Sequence, residues 1–460
     1  MTTKTNLKKM AAKLESAEPP QEKSPRPPHS KKLKYFTTIA IMLGNITFGC
    51  AFNFYSPALE DLRIKYETDV DDISRIFTIL LVSYCCGALS ATIIYRYVNR
   101  QLGVICCFCG MSVALFLTPH VESKIVFFVL GGVLGISIGA YDCAQVVWMI
   151  EMWQEKSGPF IQCQHFCYAI GSNIPPILMG PFLRDDNDDD ELEIKKRSEM
   201  LIPFTVAGIL CSGAFFMQLM LFIFCRYYTP PMYGKEIKVE SCHGNVEFSI
   251  KNLFKFFGSQ KFKLIVVMGC FAGAYQGMEL TTLQFIPTFG QYSPINLSES
   301  TSAYVLTGST GLFAIGRFLG IFIIMKVHPV VMLITSLAIV TTGNVILFFW
   351  AGENLNLFWL ACCILGAGFS TMYASWSAFM EKYLVFTDAV GGALIVCGSL
   401  LAAVYPVIVG GVIERDTRVL GGVNFFSIGV CIGGLGVGGW VVRKGKCEKK
   451  EGGEECGGRV

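Results

Sequence analysis

Charge is scarce in this sequence. Asp, Glu, Lys and Arg make up 16 % of its 460 residues, against about 25 % in a soluble globular chain, and the mean hydropathy is +0.50. Such a chain cannot solvate a soluble surface of its own size. Also missing are the segments of about ten alternating residues that build a transmembrane barrel, because the apolar residues come in continuous runs. There is no Walker A sequence, so ATP-driven pumping has no engine. No activated nucleophile, triad or metal cluster stands out, and catalysis is not expected. Of the 19 Cys, nearly all fall inside apolar runs, which reads them as small apolar side chains rather than a disulfide framework or zinc site. Residues 1–34 hold nine Lys and Arg but no apolar h-region, which predicts a disordered cytosolic tail and not a cleaved signal peptide.

What remains is twelve apolar blocks, centred in 35–58, 73–95, 102–119, 125–149, 160–183, 200–225, 262–290, 302–325, 329–351, 355–380, 389–413 and 420–442. Each is near the roughly 20 residues that span a hydrocarbon core of about 30 Å at 1.5 Å per residue. Only a helical bundle is then available, because every backbone polar group must be satisfied inside its own segment. The expected fold is an all-α membrane protein of two six-helix halves. The expected divisions are the tail 1–34, halves 35–226 and 262–442, a cytosolic linker 227–261 and a cytosolic tail 443–460. Within the linker, Phe248 to Phe257 interleaves aromatic residues with Lys, as an interfacial helix would.

Lys and Arg accumulate in cytoplasmic loops during insertion. With the amino terminus inside, alternate loops and tails place 27 of the 38 Lys and Arg on the cytosolic side, 9 outside, and Arg75 and Arg317 within blocks. The net charge of +3 is therefore a topology signal, with the lipid bilayer as the partner and no nucleic acid implied. Both termini are expected in the cytosol, and the plasma membrane is the expected location. The acidic run 185–193 lacks the spaced ligands and Gly of an EF-hand and reads as a solvated outside loop. Asn296-Leu297-Ser298 is a glycosylation sequon in an outside loop, whereas Asn45-Ile46-Thr47 lies within the first block.

Two halves joined by an inside linker is also the plan of the major facilitator superfamily, whose halves rock about a midplane site. That family's loop motif after the second helix survives here only as Arg96 and Arg100, with Tyr95 in place of its Asp. More specific are Ser56-Pro57-Ala58-Leu59-Glu60-Asp61-Leu62, Ile73-Ser74-x-Ile76-Phe77, Tyr84-x-x-Gly87, the stretch from Asp142 through Trp153, Lys156, Pro159, Gln162, His165-Phe166, Gly171 and Pro176, and Tyr275-x-Gly277-x-Glu279. In order and register these resemble the sodium-dependent glucose transporter branch of the superfamily, the major facilitator superfamily domain-containing protein 4 type. The resemblance covers roughly a third of the chain and implies a hexose carrier working by alternating access with sodium coupling. Where the branch has Thr-Gly after the fourth-helix Asp and an Asn four positions on, this chain has Cys143, Ala144 and Val146; Leu80 stands where the branch has Arg.

The residues lead to the same place on physical grounds. An ionised Asp at the centre of a membrane helix costs about 2.5 to 3.5 kcal/mol, so such groups face a cavity, a partner or an ion. Asp142 and Gln145 share a face of the fourth block, and Gln162 and His165 a face of the fifth. Gln276 and Glu279 share a face of the seventh, with Tyr275 beside them. Asn53 and Trp376 add an amide and a flat apolar plane, which together suit a sugar. Asp142 is the expected coupling carboxylate, for sodium or a proton, and no other cofactor is expected. On the adjoining stripe, Gly131, Gly135 and Gly139 recur every fourth residue, which predicts close approach of a neighbouring helix. Arg317 lies toward the cytosolic end of the eighth block, where snorkelling or a gate contact is expected rather than solute binding. Other readings of the same pattern are a carrier of another sugar, a polyol or urea, and a receptor or trafficking partner with this fold that transports nothing.

Overall fold

In the computed structural model, residues 31–224, 260–324, 326–383 and 388–451 are described. Residues 1–30 of the expected tail 1–34 and the expected interfacial helix at 248–257 lie outside them, while Lys31 to Lys34, counted in that tail, form the first turn of a helix. Twelve long helices account for most of the rest: α1 Lys31–Phe52, α2 Val70–Tyr97, α3 Arg100–Leu117, α4 Lys124–Trp153, α5 Ser157–Met179, α6 Leu201–Phe224, α7 Gln260–Tyr292, α8 Glu299–Ile323, α9 Pro329–Phe349, α10 in two pieces, Leu355–Phe369 and Met372–Tyr383, α11 Asp388–Gly410, and α12 Arg418–Glu451. No strand occurs among the described residues.

Ten helices are long and apolar enough to cross a membrane by length and composition. Outside that ten, α5 carries Gln162, Gln164, His165, Ser172 and Asn173, while α11 contributes the shorter apolar stretch Leu401–Gly410. Large apolar side chains such as Ile93, Ile125, Val129, Phe216, Phe426 and Trp440 stand exposed around the bundle, which a lipid solvent tolerates and water does not. The hydropathy boundary at 442 falls short of the last helix, which runs to Glu451. Hydropathy reads only its apolar part; the Lys- and Glu-rich continuation is helical but polar.

Short polar residues start the helices. Asp69 accepts a hydrogen bond from the Asp72 amide at the start of α2, Asn99 does so for Gln101 at α3, Ser298 for Thr301 at α8, and Asn354 for Asn356 and Leu357 at α10. Between them the chain needs few residues to reverse, Val98 and Asn99 alone joining α2 to α3. Consecutive helices within each half are therefore antiparallel, and the contacts of Ser56 and Glu60 with the far end of α7 set both halves in the same sense, so Lys31 and Glu451 lie on one side of the bundle, here the terminal end.

Within the first half α1 packs on α5, α2 on α4 and α3 on α6; within the second, α7 packs on α11 and α12, and α8 and α9 on α10. Across the halves α2 meets α11 and α5 meets α8. The α2–α4 seam is made by the expected glycine stripe. Gly135 and Gly139 lie against the backbone carbonyls of Leu80 and Tyr84, and Gly131 against the side chain of Ile76. A Cβ at either of the first two would run into main chain that cannot give way.

Several hydrogen bonds join the halves at the non-terminal end. Ser56 Oγ donates to the carbonyls of Leu283 and Gln284 at 3.0 and 2.9 Å, Tyr292 Oη to Glu60 at 3.1 Å, and the Val70 amide to Glu414 at 3.0 Å. Ser300 is held by the carbonyls of Arg184 and Gly180, at 2.9 and 3.0 Å. The acidic run is less free than a solvated loop. Asp189 caps the short helix Asp190–Glu199, and Asp188 pairs with Lys196 at 2.7 Å.

Candidate functional site

The polar residues inside the bundle form two connected groups. In the first half, Asp142 on α4 accepts the Tyr84 hydroxyl of α2 on Oδ2 at 2.6 Å and the Gln145 amide on Oδ1 at 2.7 Å. Gln145 is buried and in turn accepts from Gln164 on α5, at 3.3 Å to both its side-chain and main-chain oxygens. Among the described residues no Lys, Arg or His forms an ion pair with Asp142. The carboxylate is thus oriented by neutral donors and has no basic counter-charge among the described residues.

The second group crosses from one half to the other. Glu279, 6 % exposed on α7, accepts the Tyr275 hydroxyl one turn earlier and lies 3.6 Å from Arg317 of α8. The Arg317 guanidinium also donates to the His165 carbonyl of α5 at 3.1 Å and sits over the rings of Phe313 and Tyr168, at 4.2 and 5.5 Å from their centroids. Tyr168 Oη accepts from Asn53 at 3.3 Å, which ties the end of α1 into the same chain of contacts. Arg317 therefore does not snorkel. Its side chain is about as shielded as that of its carboxylate partner, at 10 % and 8 % exposure. A guanidinium that faces an intramembrane carboxylate and two aromatic rings gains more there than at a helix end.

Gln162, His165, Arg317, Gly320, Ser370 and Tyr373 border a cleft between α5, α8 and α10. The α10 helix breaks at Ser370–Thr371 beside it. Irregular backbone at membrane depth survives where it lines a cavity or is buried in protein, and here the Ser370 hydroxyl bonds the Ala367 carbonyl at 2.6 Å while Thr371 meets Ser336 at 2.7 Å. The free space is about 10 Å³, near what one water needs. The His165 ring lies edge-on to Tyr373 at 5.2 Å and so narrows it.

Of the residues expected from sequence, Asp142 and Gln145 form one group, Asn53 and Glu279 join the other through Tyr168 and Arg317, and Gln162 and His165 border the cleft. Gln276 lies against Gly398 of α11 instead. Trp376 is 6 % exposed and spends its indole N–H on the Met268 carbonyl at 3.3 Å. It packs α10 on α7 and presents no open ring face. Tyr84, Gln164, Tyr168 and Tyr373 were not expected as site residues; Tyr84 entered only as part of a motif. Asn296 is exposed in the loop between α7 and α8, with φ of 45°.

Residues 41–406 match the family model described as Major Facilitator Superfamily. The chain belongs to this superfamily. Membership places it among secondary transporters and not enzymes. It is 24 % identical over 394 residues to a protein named Sodium-dependent glucose transporter 1 from Danio rerio, covering 82 % of this chain and 64 % of the relative. With the protein of the same name from Homo sapiens it shares 22 % identity, over 79 % of this chain and 70 % of that one. The match thus spans just under two thirds of the zebrafish protein's length. In fold it resembles the crystal structure of a D-xylose-proton symporter, with a TM-score of 0.65, 10 % identity, and coverage of 86 % of this chain and 96 % of the other.

Proposed function

We propose that this transporter carries a hexose or a similar small polar solute by alternating access, with Asp142 as the site of cation coupling. The observation that carries the reading is the difference in partners between the two buried carboxylates. Glu279 has Arg317 as its counter-charge, whereas Asp142 has only the Tyr84 hydroxyl and the Gln145 amide. A buried carboxylate without a basic partner reaches neutrality by taking a cation or a proton. Its occupancy then responds to an ion gradient.

For sodium, the oxygens beside Asp142 are the Tyr84 hydroxyl and the Gln145 side-chain oxygen, joined by water or solute oxygens; for a proton the carboxyl alone suffices. Sodium agrees with the names of the relatives, and the proton is the second coupling ion to test. Amides, hydroxyls and the guanidinium of Gln162, Ser370, Tyr373 and Arg317 supply donors and acceptors for sugar hydroxyls. With a cavity this narrow, a hexose requires α5 and α8 to part. The contacts at the non-terminal end close that face, and on the cleft side the Arg317 bond to the His165 carbonyl still holds α5 to α8. With the termini in the cytosol, the closed face is the outer one.

The test is radiolabelled D-glucose uptake into proteoliposomes of the purified chain, under a sodium gradient, a proton gradient or neither. Saturable uptake raised by one gradient supports the reading and names the ion. No uptake above empty vesicles by folded protein removes glucose and redirects the search to other sugars, polyols and urea.

A further inference from the structure

One cluster in the non-terminal contacts takes no part in the solute pathway. Asp61, on the short helix Leu59–Lys65 of the first half, and Glu299, the first residue of α8 in the second, both reach the guanidinium of Arg197. Its Nη1 lies 3.0 Å from Asp61 Oδ1 and its Nη2 3.3 Å from Glu299 Oε1. Arg197 also holds Glu193 at 2.8 Å, so one positive charge is divided among three carboxylates. The side chains of Asp61 and Glu299 are 9 % and 7 % exposed. The second oxygen of each, Asp61 Oδ2 and Glu299 Oε2, is buried without a hydrogen-bond partner, and the two carboxyl groups meet on the one guanidinium of Arg197.

Two ionised carboxylates that meet in this way have four oxygens that accept and none that donates. One proton supplies both the missing donor and the missing charge, as in other carboxylate pairs that share a site. We propose that Asp61 and Glu299 share a single proton, forming a proton-binding site that clasps the two halves together at the non-terminal face. The proton comes from water on that face, sits on one carboxyl oxygen and is donated to the other; it returns to water when the halves part and both groups ionise. The site is independent of which solute the carrier moves.

The neighbouring charges are already engaged. Glu60 pairs with Arg63 at 2.6 Å and accepts from Tyr292. Glu193 is shared by Arg184, at 3.3 Å, and Arg197; Asp188 binds Lys196; Asp185 accepts from the Ser298 hydroxyl; and Glu414 accepts the Val70 amide. Burial first, and then the charge of Glu299, hold the Asp61 carboxyl well above the usual carboxylate range, with Arg197 opposing and Glu60 assisting. In the parted form both carboxyls meet water and titrate near pH 4. The sign follows: protons favour the closed clasp, its stabilisation is full below that ordinary value, and it is lost as pH rises through the closed-form value.

The test is hydrogen–deuterium exchange of the full purified chain in nanodiscs, at about pH 5 and about pH 8 with intrinsic rates corrected. Peptides spanning 59–66 and 293–303 report the clasp. The expected result is severalfold greater protection at the lower pH in the wild type and loss of that difference in Glu299→Gln, whose amide donates to Asp61 at every pH. Asp61→Asn exchanges the roles and serves where the first variant fails to fold. Equal wild-type protection at both pH values, or an unchanged difference in a folded variant, overturns the proposal.

Discussion

At the scale of single residues, the account turns on how each intramembrane charge is balanced. Arg317 and Glu279 balance each other, so Arg317→Ala leaves a buried carboxylate alone. Loss of one partner of a buried pair costs about 3 to 5 kcal/mol, and the variant is expected to show a clearly lowered Tm. Glu279→Gln keeps a neutral acceptor in place and is expected to cost less; thermal unfolding of both purified variants checks the order. Removing the hydroxyl in Tyr84→Phe takes one of the two donors from Asp142, at a cost of about 1.5 to 3 kcal/mol for a hydrogen bond to a charged group. It is expected to shift the ion dependence of uptake, read from initial rates over an ion titration, and to lower Tm less than Arg317→Ala does. Asp142 and Glu279 were legible in the sequence because a lone carboxylate in an apolar block is conspicuous. Of the two expectations for Arg317, snorkelling gives way to a contact between the halves, which depth alone did not select because the orientation comes from Phe313 one turn before it and from Tyr168 and His165 of another helix. The partner of Trp376 was not legible: an indole suits a sugar face, but nothing in its neighbourhood reveals the Met268 carbonyl on α7 that claims its N–H.

At the scale of helices, the twelve apolar blocks were legible from length and apolarity, and the structure places a helix at each of them, ten of which are long and apolar enough to cross a membrane. The α2–α4 seam was legible too, because small residues at a four-residue spacing have few uses besides close packing. Gly139→Leu drives a side chain into the Tyr84 carbonyl, and overpacking of this kind costs about 1 to 3 kcal/mol or more. Since Tyr84 orients Asp142, this variant is expected to lose ion-dependent uptake along with stability. Gly213→Ala on α6, where nothing lies within 4 Å, is expected to match the wild type in thermal unfolding and uptake. The break in α10 at Ser370–Thr371 was not legible. Gly, Ser and Thr are ordinary in membrane helices, and the interruption depends on hydroxyl partners that come from Ala367 and Ser336.

At the scale of the molecule, the arrangement of charges predicts which face is which. If the non-terminal end faces away from the cytosol, Asn296 is available for glycosylation in cells that carry it out. A glycosidase-sensitive gel shift that vanishes in Asn296→Gln is the expected result, and its absence argues for the opposite orientation. Alternating access itself was legible only as a family plan, because the relative motion of two halves is not written in either of them. The structure adds contacts that must break: the Ser56 bonds to α7, the Asp61–Arg197–Glu299 clasp, and the Arg317 bond to the His165 carbonyl. Coupling requires that ion binding at Asp142 and opening of these contacts exclude or favour one another. The most direct measurement separates the two in Asp142→Asn proteoliposomes, by comparing solute exchange at equal concentrations with gradient-driven accumulation. The account predicts that exchange persists while accumulation falls to the level of the imposed solute gradient. Accumulation as in the wild type would contradict it.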